Sequence, residues 1–324
     1  MITVHGSHDK YALDSLLGGS HHRKLPLLRT LLLTALAPIT WGTTYLVTTE
    51  LLPPGHPLFA ALIRALPAGV IAVVVGRSIP QGTWWMKAAL LGTLNIGGFF
   101  PLLFIAAERL PGGAAAAVAG AQPLILLALG SVVLCERVRP VAAIAAVAGA
   151  AGVAAIVLGP SAALDPLGIA AAVGGVTCTA VGIILTKHWG RPPRTGAVAY
   201  AGWQLTAGGL FLLPLTLVFE GIPAEIHPDN VLGYLWLTTA GGLIAYALWF
   251  RGIERLPVAA PGLLALLSPV VATILGVALA HEAFTPVQLT GLLVVLSALV
   301  AGQLAVLRQP RAVTPRAPQP MATP

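Results

Sequence analysis

The tetrapeptide Glu108-Arg109-Leu110-Pro111 recurs as Glu254-Arg255-Leu256-Pro257, and the chain around it repeats too. A shift of 146 positions places Phe104 on Phe250, Pro123 on Pro269, Glu136 on Glu282 and Pro140 on Pro286, with no gap between them. Nearer the start of each copy the offset falls to about 140, which sets Arg64 on Gln204 and Gly69 on Gly209; an insertion near 220–230 accounts for the difference. Self-similarity at a fixed offset, prolines inside apolar runs included, is hard to obtain from composition and marks an internal duplication.

Composition decides the solvent. Of 324 residues, 57% are hydrophobic and 9% charged, with mean hydropathy +0.88. A soluble domain carries about 25% charged residues, so this chain has too few to cover a globule, and its bulk must face lipid. Ala, Leu, Gly and Val prevail, as expected where helices approach closely in a bilayer. Cys135 and Cys178 are too few, and too deep in apolar runs, for a disulfide framework, and read as packing residues.

A spanning helix needs about 20 mostly apolar residues. That window yields ten segments: 28–50, 58–76, 87–107, 112–134, 140–159, 166–187, 196–219, 231–252, 258–280 and 286–306. Short loops with turn chemistry separate them, such as Leu52-Pro53-Pro54-Gly55 and Arg191-Pro192-Pro193-Arg194. Residues 1–24 and the Pro/Arg-rich 307–324 read as disordered cytoplasmic tails, leaving repeats at 25–159 and 160–306. His5, His8, His21 and His22 are scattered through the first tail, and a metal tract is the weaker reading. His21-His22-Arg23-Lys24, a leucine run and Ala35-Leu36-Ala37 imitate a cleaved signal; the apolar run continues and Pro38 follows directly, so a first spanning helix is expected.

Each copy holds five segments, an odd number, so two copies in series must sit in the membrane with opposite orientation. The charges test this independently, because Lys and Arg collect on the cytoplasmic side of short loops. With the N-terminus inside, sixteen of the eighteen fall on that side; Arg109 falls outside and Arg64 within a segment. Glu136-Arg137-Val138-Arg139 is then internal, and its repeat partner Glu282-Ala283-Phe284-Thr285, external, has no basic residue. The expected fold is an all-α integral membrane protein of ten transmembrane helices arranged as two inverted five-helix repeats. Inverted repeats around a central site characterise secondary transporters.

The chain resembles the EamA family of the drug/metabolite transporter superfamily. The likeness, over about 28–306, is carried by Trp41-Gly42-Thr43-Thr44, Leu62-Ile63-Arg64 and two long motifs at matched spacing. The first motif runs from Leu110-Pro111-Gly112-Gly113 through Gln122-Pro123 and Glu136-Arg137 to Pro140. The second runs from Leu256-Pro257 through Ser268-Pro269 and Glu282 to Pro286 and Gly291. The resemblance implies a multi-pass carrier of the bacterial inner membrane, both termini cytoplasmic, that moves small metabolites, often outward. It also implies a cavity formed mainly by the first, third and fourth helices of each half.

Candidate site residues are the polar and aromatic groups within segments, which tend to face protein or water: Trp41, Tyr45, Arg64, Asn95, Gln122, Thr177, Gln204, Tyr246 and Ser268. Trp203 and Trp249 could equally belong to interfacial belts. Pro123 and Pro269, near mid-segment, disturb the carbonyls four residues earlier, at Ala119 and Ala265. A water-lined cavity could satisfy those carbonyls, and so could Gln122 or Ser268 in a purely structural kink. Arg64 reads either as an anchor for a carboxylate-bearing substrate or as a side chain snorkelling toward the external loop and Glu50; snorkelling is the preferred reading.

No carboxylate lies at mid-membrane and there is no nucleotide-binding loop, so no cofactor and no coupling ion are legible. A small-molecule substrate and the bilayer are the expected partners, without nucleic acid. A homodimer through the fifth segment (Gly149, Gly152) or the tenth is the alternative to ordinary packing within the bundle. An amino acid or related amphipathic compound is the expected cargo, with drug efflux as the alternative. A membrane-embedded enzyme needs clustered His, Asp, Glu or Cys, which His281-Glu282 alone does not supply, and a receptor has no need of the inverted repeat.

Overall fold

Among the described residues every apolar run is helical and no strand is present. The computed structural model describes residues 8–109, 120–157, 165–280 and 285–308. The loop motif at 110–113, Ala119, His281, Glu282 and the tails at 1–7 and 309–324 lie outside them.

The helices are α1 (His8–Gly42), α2 (Thr44–Leu51), α3 (Pro57–Gly76), α4 (Trp84–Gly92), α5 (Phe99–Arg109), α6 (Gln122–Val133) and α7 (Pro140–Val157). The second half holds α8 (Pro166–Trp189), α9 (Ala197–Phe219), α10 (Pro228–Trp236), α11 (Ala245–Arg255), α12 (Ala259–Ala265), α13 (Leu267–Ala280) and α14 (Pro286–Leu307). The helical backbone of α1 begins at His8, within the residues assigned above to the N-terminal tail. Seven stretches are long and apolar enough to cross a membrane, and three shorter apolar helices, at 122–133, 140–155 and 259–272, accompany them.

Helix ends have local causes. Pro57, Pro166 and Pro228 stand in first turns, where a missing N–H leaves nothing unsatisfied. The carboxylate of Glu220 accepts from the amides of Leu58 and Phe59, both at 2.7 Å, and so caps α3 from the far end of α9. α6 ends at Val133, and two residues on Cys135 has a left-handed φ of 53°. Cys135 is exposed, not packed in the core as the sequence suggests.

The molecule is apolar on the outside: Leu32, Val74, Ile144, Val218 and Val300 are all exposed on helix surfaces, while Arg64, Asn95, Thr186, Gln204 and Thr238 are buried. Water would not tolerate that arrangement over so many helices, whereas lipid does.

Two helix pairs join the halves. α3 packs on α9 and α7 on α14. Along the first pair, Leu58 meets Glu220, Leu66 meets Gly209, Gly69 meets Thr206 and Gly76 meets Ala199. As one number rises the other falls, so the two helices run antiparallel. The contacts also exchange under the 140-residue shift, since Leu66–Gly209 maps onto Gly69–Thr206. A Cβ on either glycine would strike backbone of the facing helix, so the close approach depends on both. Along the second pair Gly149 faces Ala298 and Gly152 faces Val295, again antiparallel. The glycines considered above for a dimer contact are thus covered within the same chain, Gly149 chiefly by Leu266 and Gly152 by α14. α1 lies against α11 and α13, as its repeat counterpart α8 lies against α5 and α6.

Candidate functional site

Two helical stretches are wound as π-helix, Thr93–Gly97 between α4 and α5 and Leu237–Ile244 between α10 and α11. They correspond under the 146-residue shift, which places Asn95 on Gly241. A π-turn widens the helix and takes carbonyls out of the i→i+4 ladder, and such turns concentrate at functional sites. The second π-turn holds the Gly241 carbonyl. It accepts from Trp41 Nε1 at 3.0 Å and from Arg64 Nη2 at 3.2 Å.

Arg64 is 7% exposed, which rules out the snorkelling reading. Its side chain runs inward to α10–α11 instead of outward to Glu50. There it meets the Gly241 carbonyl and two aromatic faces, Phe100 at 5.6 Å and Tyr246 at 5.9 Å from the guanidinium carbon. Each face contributes roughly 0.5–1 kcal/mol or more when desolvated. Among the described residues no carboxylate forms an ion pair with it, and Nε has no acceptor. Trp41 packs against Tyr246 (5.1 Å) and Trp249 (5.2 Å), so α1 and α11 close one wall with aromatic surface. Trp249 and Trp203 are both buried, which takes them out of any interfacial belt.

The repeat-related place in the other half is neutral. Asn95 Nδ2 donates to Gln204 Oε1 at 2.8 Å and lies 3.4 Å from Thr186 Oγ1. Gly182 makes room for it, since a Cβ there would collide with the Asn95 amide. Gln204 Nε2 is buried without an acceptor. Two equivalent residues, Arg64 and Gln204, therefore each keep one buried donor unspent.

Gln122 reaches across the halves, donating through Nε2 to Thr179 Oγ1 at 2.8 Å. Thr177, two residues away, points to the exposed side of α8 and takes no part. The half-buried Ser268 belongs to the segment that crosses α1 at Gly42. Tyr45 lies on α2, and its side chain is outside the described residues. Pro123 and Pro269 each stand in the first turn of a helix, α6 and α13, that begins just after a turn at Ala121 or Leu266. The helix is interrupted ahead of each proline rather than bent at mid-run.

The sequence profile of the EamA-like transporter family matches twice, over residues 28–158 and 166–301. The chain belongs to the EamA-like transporter family. It is 42% identical over 253 residues to Protein PecM of Dickeya dadantii (strain 3937), across 78% of this chain and 85% of that one. It is 26% identical over 255 residues to the uncharacterized inner membrane transporter YedA of Escherichia coli (strain K12), across 77% and 82%. A crystal structure superposes with TM-score 0.72 over 86% of this chain and 99% of the other; at 21% identity that likeness shows the fold alone. The protein is a multi-pass membrane transporter.

At one end of this EamA-like transporter, Glu136 ties three segments together. Its Oε1 lies 3.3 Å from Lys187 Nζ, and its Oε2 accepts from the Val258 amide at 3.1 Å, where α12 begins. Lys187 also donates to the Leu256 carbonyl, and Arg191 faces Glu254 at 3.5 Å. A motif glutamate of the first half thus holds the motif Leu256-Pro257 of the second. At the opposite end of α8, Asp165 accepts from the Leu167 amide at 2.9 Å and pairs with Arg109 at 3.2 Å. The Leu167 N–H first, then Arg109, hold its carboxyl below the usual carboxylate range.

Gly241, Phe100, Thr179 and Thr186 are site neighbours that the sequence does not mark as candidates. The Gly241-Gly242 pair inside an apolar run was the available signal for the first, because small residues in a spanning helix admit a close partner. The others are ordinary core types and carry no signal.

Proposed function

We propose that the protein is an alternating-access secondary transporter of the inner membrane that exports a small amphipathic metabolite, such as an amino acid or related compound. In this reading its ten helices form two inverted five-helix halves with both termini cytoplasmic. The antiparallel pairing of α3 with α9 and of α7 with α14, the doubled family match and the inside bias of Lys and Arg support the inverted arrangement. Two similar halves of opposite sense can exchange roles, which gives inward-open and outward-open states of comparable energy.

The observation that carries the cargo is the pair of unspent donors, Arg64 Nε and Gln204 Nε2. A buried guanidinium without a counter-ion costs about 2.5–3.5 kcal/mol on insertion scales. A solute carboxylate would return much of that through charge-assisted hydrogen bonds, and a carbonyl oxygen would suit the amide. The aromatic wall of Trp41, Tyr246 and Trp249 favours cargo with an apolar body, and it is the feature that speaks for the alternative, efflux of drug-like compounds.

Reconstituted vesicles test this directly. Accumulation across a panel of amino acids, other carboxylates and neutral aromatics, with and without a pH gradient, is measured for the wild type, Arg64→Ala and Gln122→Ala. Flux above empty vesicles that falls in the variants supports the carrier. Flux that never exceeds empty vesicles across the panel defeats it. Reporter fusions after residues 80 and 225 should report opposite compartments; a shared compartment defeats the inverted topology.

A further inference from the structure

A cavity of about 440 Å³ opens between residues 25–34 of α1 and residues 248–255 of α11, away from the Arg64 site. Three arginines converge on it: Arg29 from α1, and Arg251 and Arg255 one turn apart on α11. Leu25, Leu33 and Leu248 form the remainder of its wall. All three arginines are exposed, and none forms an ion pair with a described residue. The acidic neighbour on α11, Glu254, is held by Arg191 at 3.5 Å. The hydroxyls of Thr30 and Thr34, which also line the cavity, donate to the backbone carbonyls of Pro26 and Thr30. The free donors of the cleft are therefore guanidinium N–H groups.

We infer that this cleft binds the headgroup phosphate of an anionic phospholipid, with the glycerol and the start of the acyl chains against Leu25, Leu33 and Leu248. Three like charges in one cleft repel one another, and an acceptor-rich anion relieves that. Guanidinium pairs phosphate oxygens bidentately, and basic clefts between membrane helices suit lipid headgroups. The apolar wall distinguishes a lipid from free phosphate, which has nothing to place there. A lipid in this position touches the first half through α1 and the second through α11, close to where Gly252 packs on Thr34.

The test uses the full chain, delipidated in mild detergent, with lipid retention followed by native mass spectrometry and by thermal midpoint. The probes are phosphatidylglycerol, cardiolipin, phosphatidylethanolamine and inorganic phosphate. Phosphatidylglycerol and cardiolipin should be retained and raise the midpoint, and phosphatidylethanolamine should not. Each basic group near the membrane surface contributes about 1 kcal/mol, so the Arg251→Ala/Arg255→Ala double variant should bind about 30-fold more weakly, at 1.4 kcal/mol per tenfold. The Arg251→Lys/Arg255→Lys variant should keep most of the binding. Arg29→Ala tests the same site from the other helix, should the double variant fail to fold. Equal retention of phosphatidylethanolamine, unchanged binding in the alanine variants, or full displacement by millimolar inorganic phosphate would each overturn the lipid assignment.

Discussion

Arg64 and Gln204 occupy equivalent places on two antiparallel helices, and each buries an N–H donor that no acceptor in the described chain meets. Their partners are equivalent as well, the Gly241 carbonyl for one and the Asn95 side chain for the other, each on a π-turn. The repeat therefore supplies two matching half-sites, and one substitution makes them electrically unequal. Under the proposed function, the charged half is where an anionic group of the cargo gains most.

Arg64→Gln keeps hydrogen-bond donors and removes the charge. Hydrogen bonds to charged groups contribute about 1.5–3 kcal/mol and neutral ones about 0.5–1.5. Flux of carboxylate solutes into vesicles should fall about 10- to 100-fold in Arg64→Gln and less than about 10-fold in Gln204→Ala. The thermal midpoint of Arg64→Gln should hold or rise, because a buried cation without a counter-ion is removed. Equal flux in Arg64→Gln and wild type would end the anchoring role; a collapse of the midpoint would make the residue structural.

The crossing of α3 and α9 should be the least tolerant place in the bundle. Gly69 abuts Thr206 and Gly209 abuts Leu66, with backbone in the way of any added carbon. Overpacking costs about 1–3 kcal/mol, occasionally more, so Gly69→Val and Gly209→Val should each lower the thermal midpoint in detergent by several degrees. Gly55→Ala, in open space at φ 75°, serves as the control for ordinary glycine strain. Valine variants as stable as wild type would show that the helices lie farther apart.

The sequence disclosed what depends on long-range pattern. The duplication, the apolar segments, the placement of basic residues and the Gly69–Gly209 equivalence are one-dimensional signals, while the crossing these two glycines line is seen only in the structure. What it could not disclose depends on which face of a helix turns inward. Thr177 and Thr179 are two apart on one helix, so only one can reach Gln122. The inward reading of Arg64 could not be preferred over snorkelling because its acceptor is the backbone carbonyl of Gly241, which no side chain marks. Pro123 sits at the start of a helix rather than its middle because the break precedes it, at Ala121, where sequence shows only alanines and a glycine.

Asp165 gives a pH signature outside the bilayer core. Its carboxyl is held low in the folded protein by the Leu167 amide and Arg109. A depressed folded value means the contribution is present above the unfolded carboxylate value and is lost as pH falls through the folded one. The thermal midpoint of wild type should exceed that of Asp165→Asn at neutral pH, modestly because the group is exposed, and the two should converge in acid. A difference that stays constant down to low pH would show that Asp165 acts without its charge.

Glu136 is where the proposed alternating access can be disturbed. It binds Lys187 and the Val258 amide, so one half's loop is fastened to the other half's helix start. An alternating-access carrier must release such contacts once per cycle, and their strength sets how often the end opens. Glu136→Gln keeps a carbonyl for the amide but loses the ion pair, which for a partly exposed pair is about 1 kcal/mol or less. The open population should therefore rise up to about fivefold at 1.4 kcal/mol per tenfold. Thiol labelling reads this at a cysteine placed at Leu126, fully buried on α6 beside this end, in a background with Cys135 and Cys178 replaced by serine. Lys187→Gln should raise the same labelling rate, and the double variant Glu136→Gln/Lys187→Gln should add little to either single change. Labelling unchanged in all three would mean that the end opens without breaking this pair, and rates that simply multiply in the double variant would mean that the two side chains act separately.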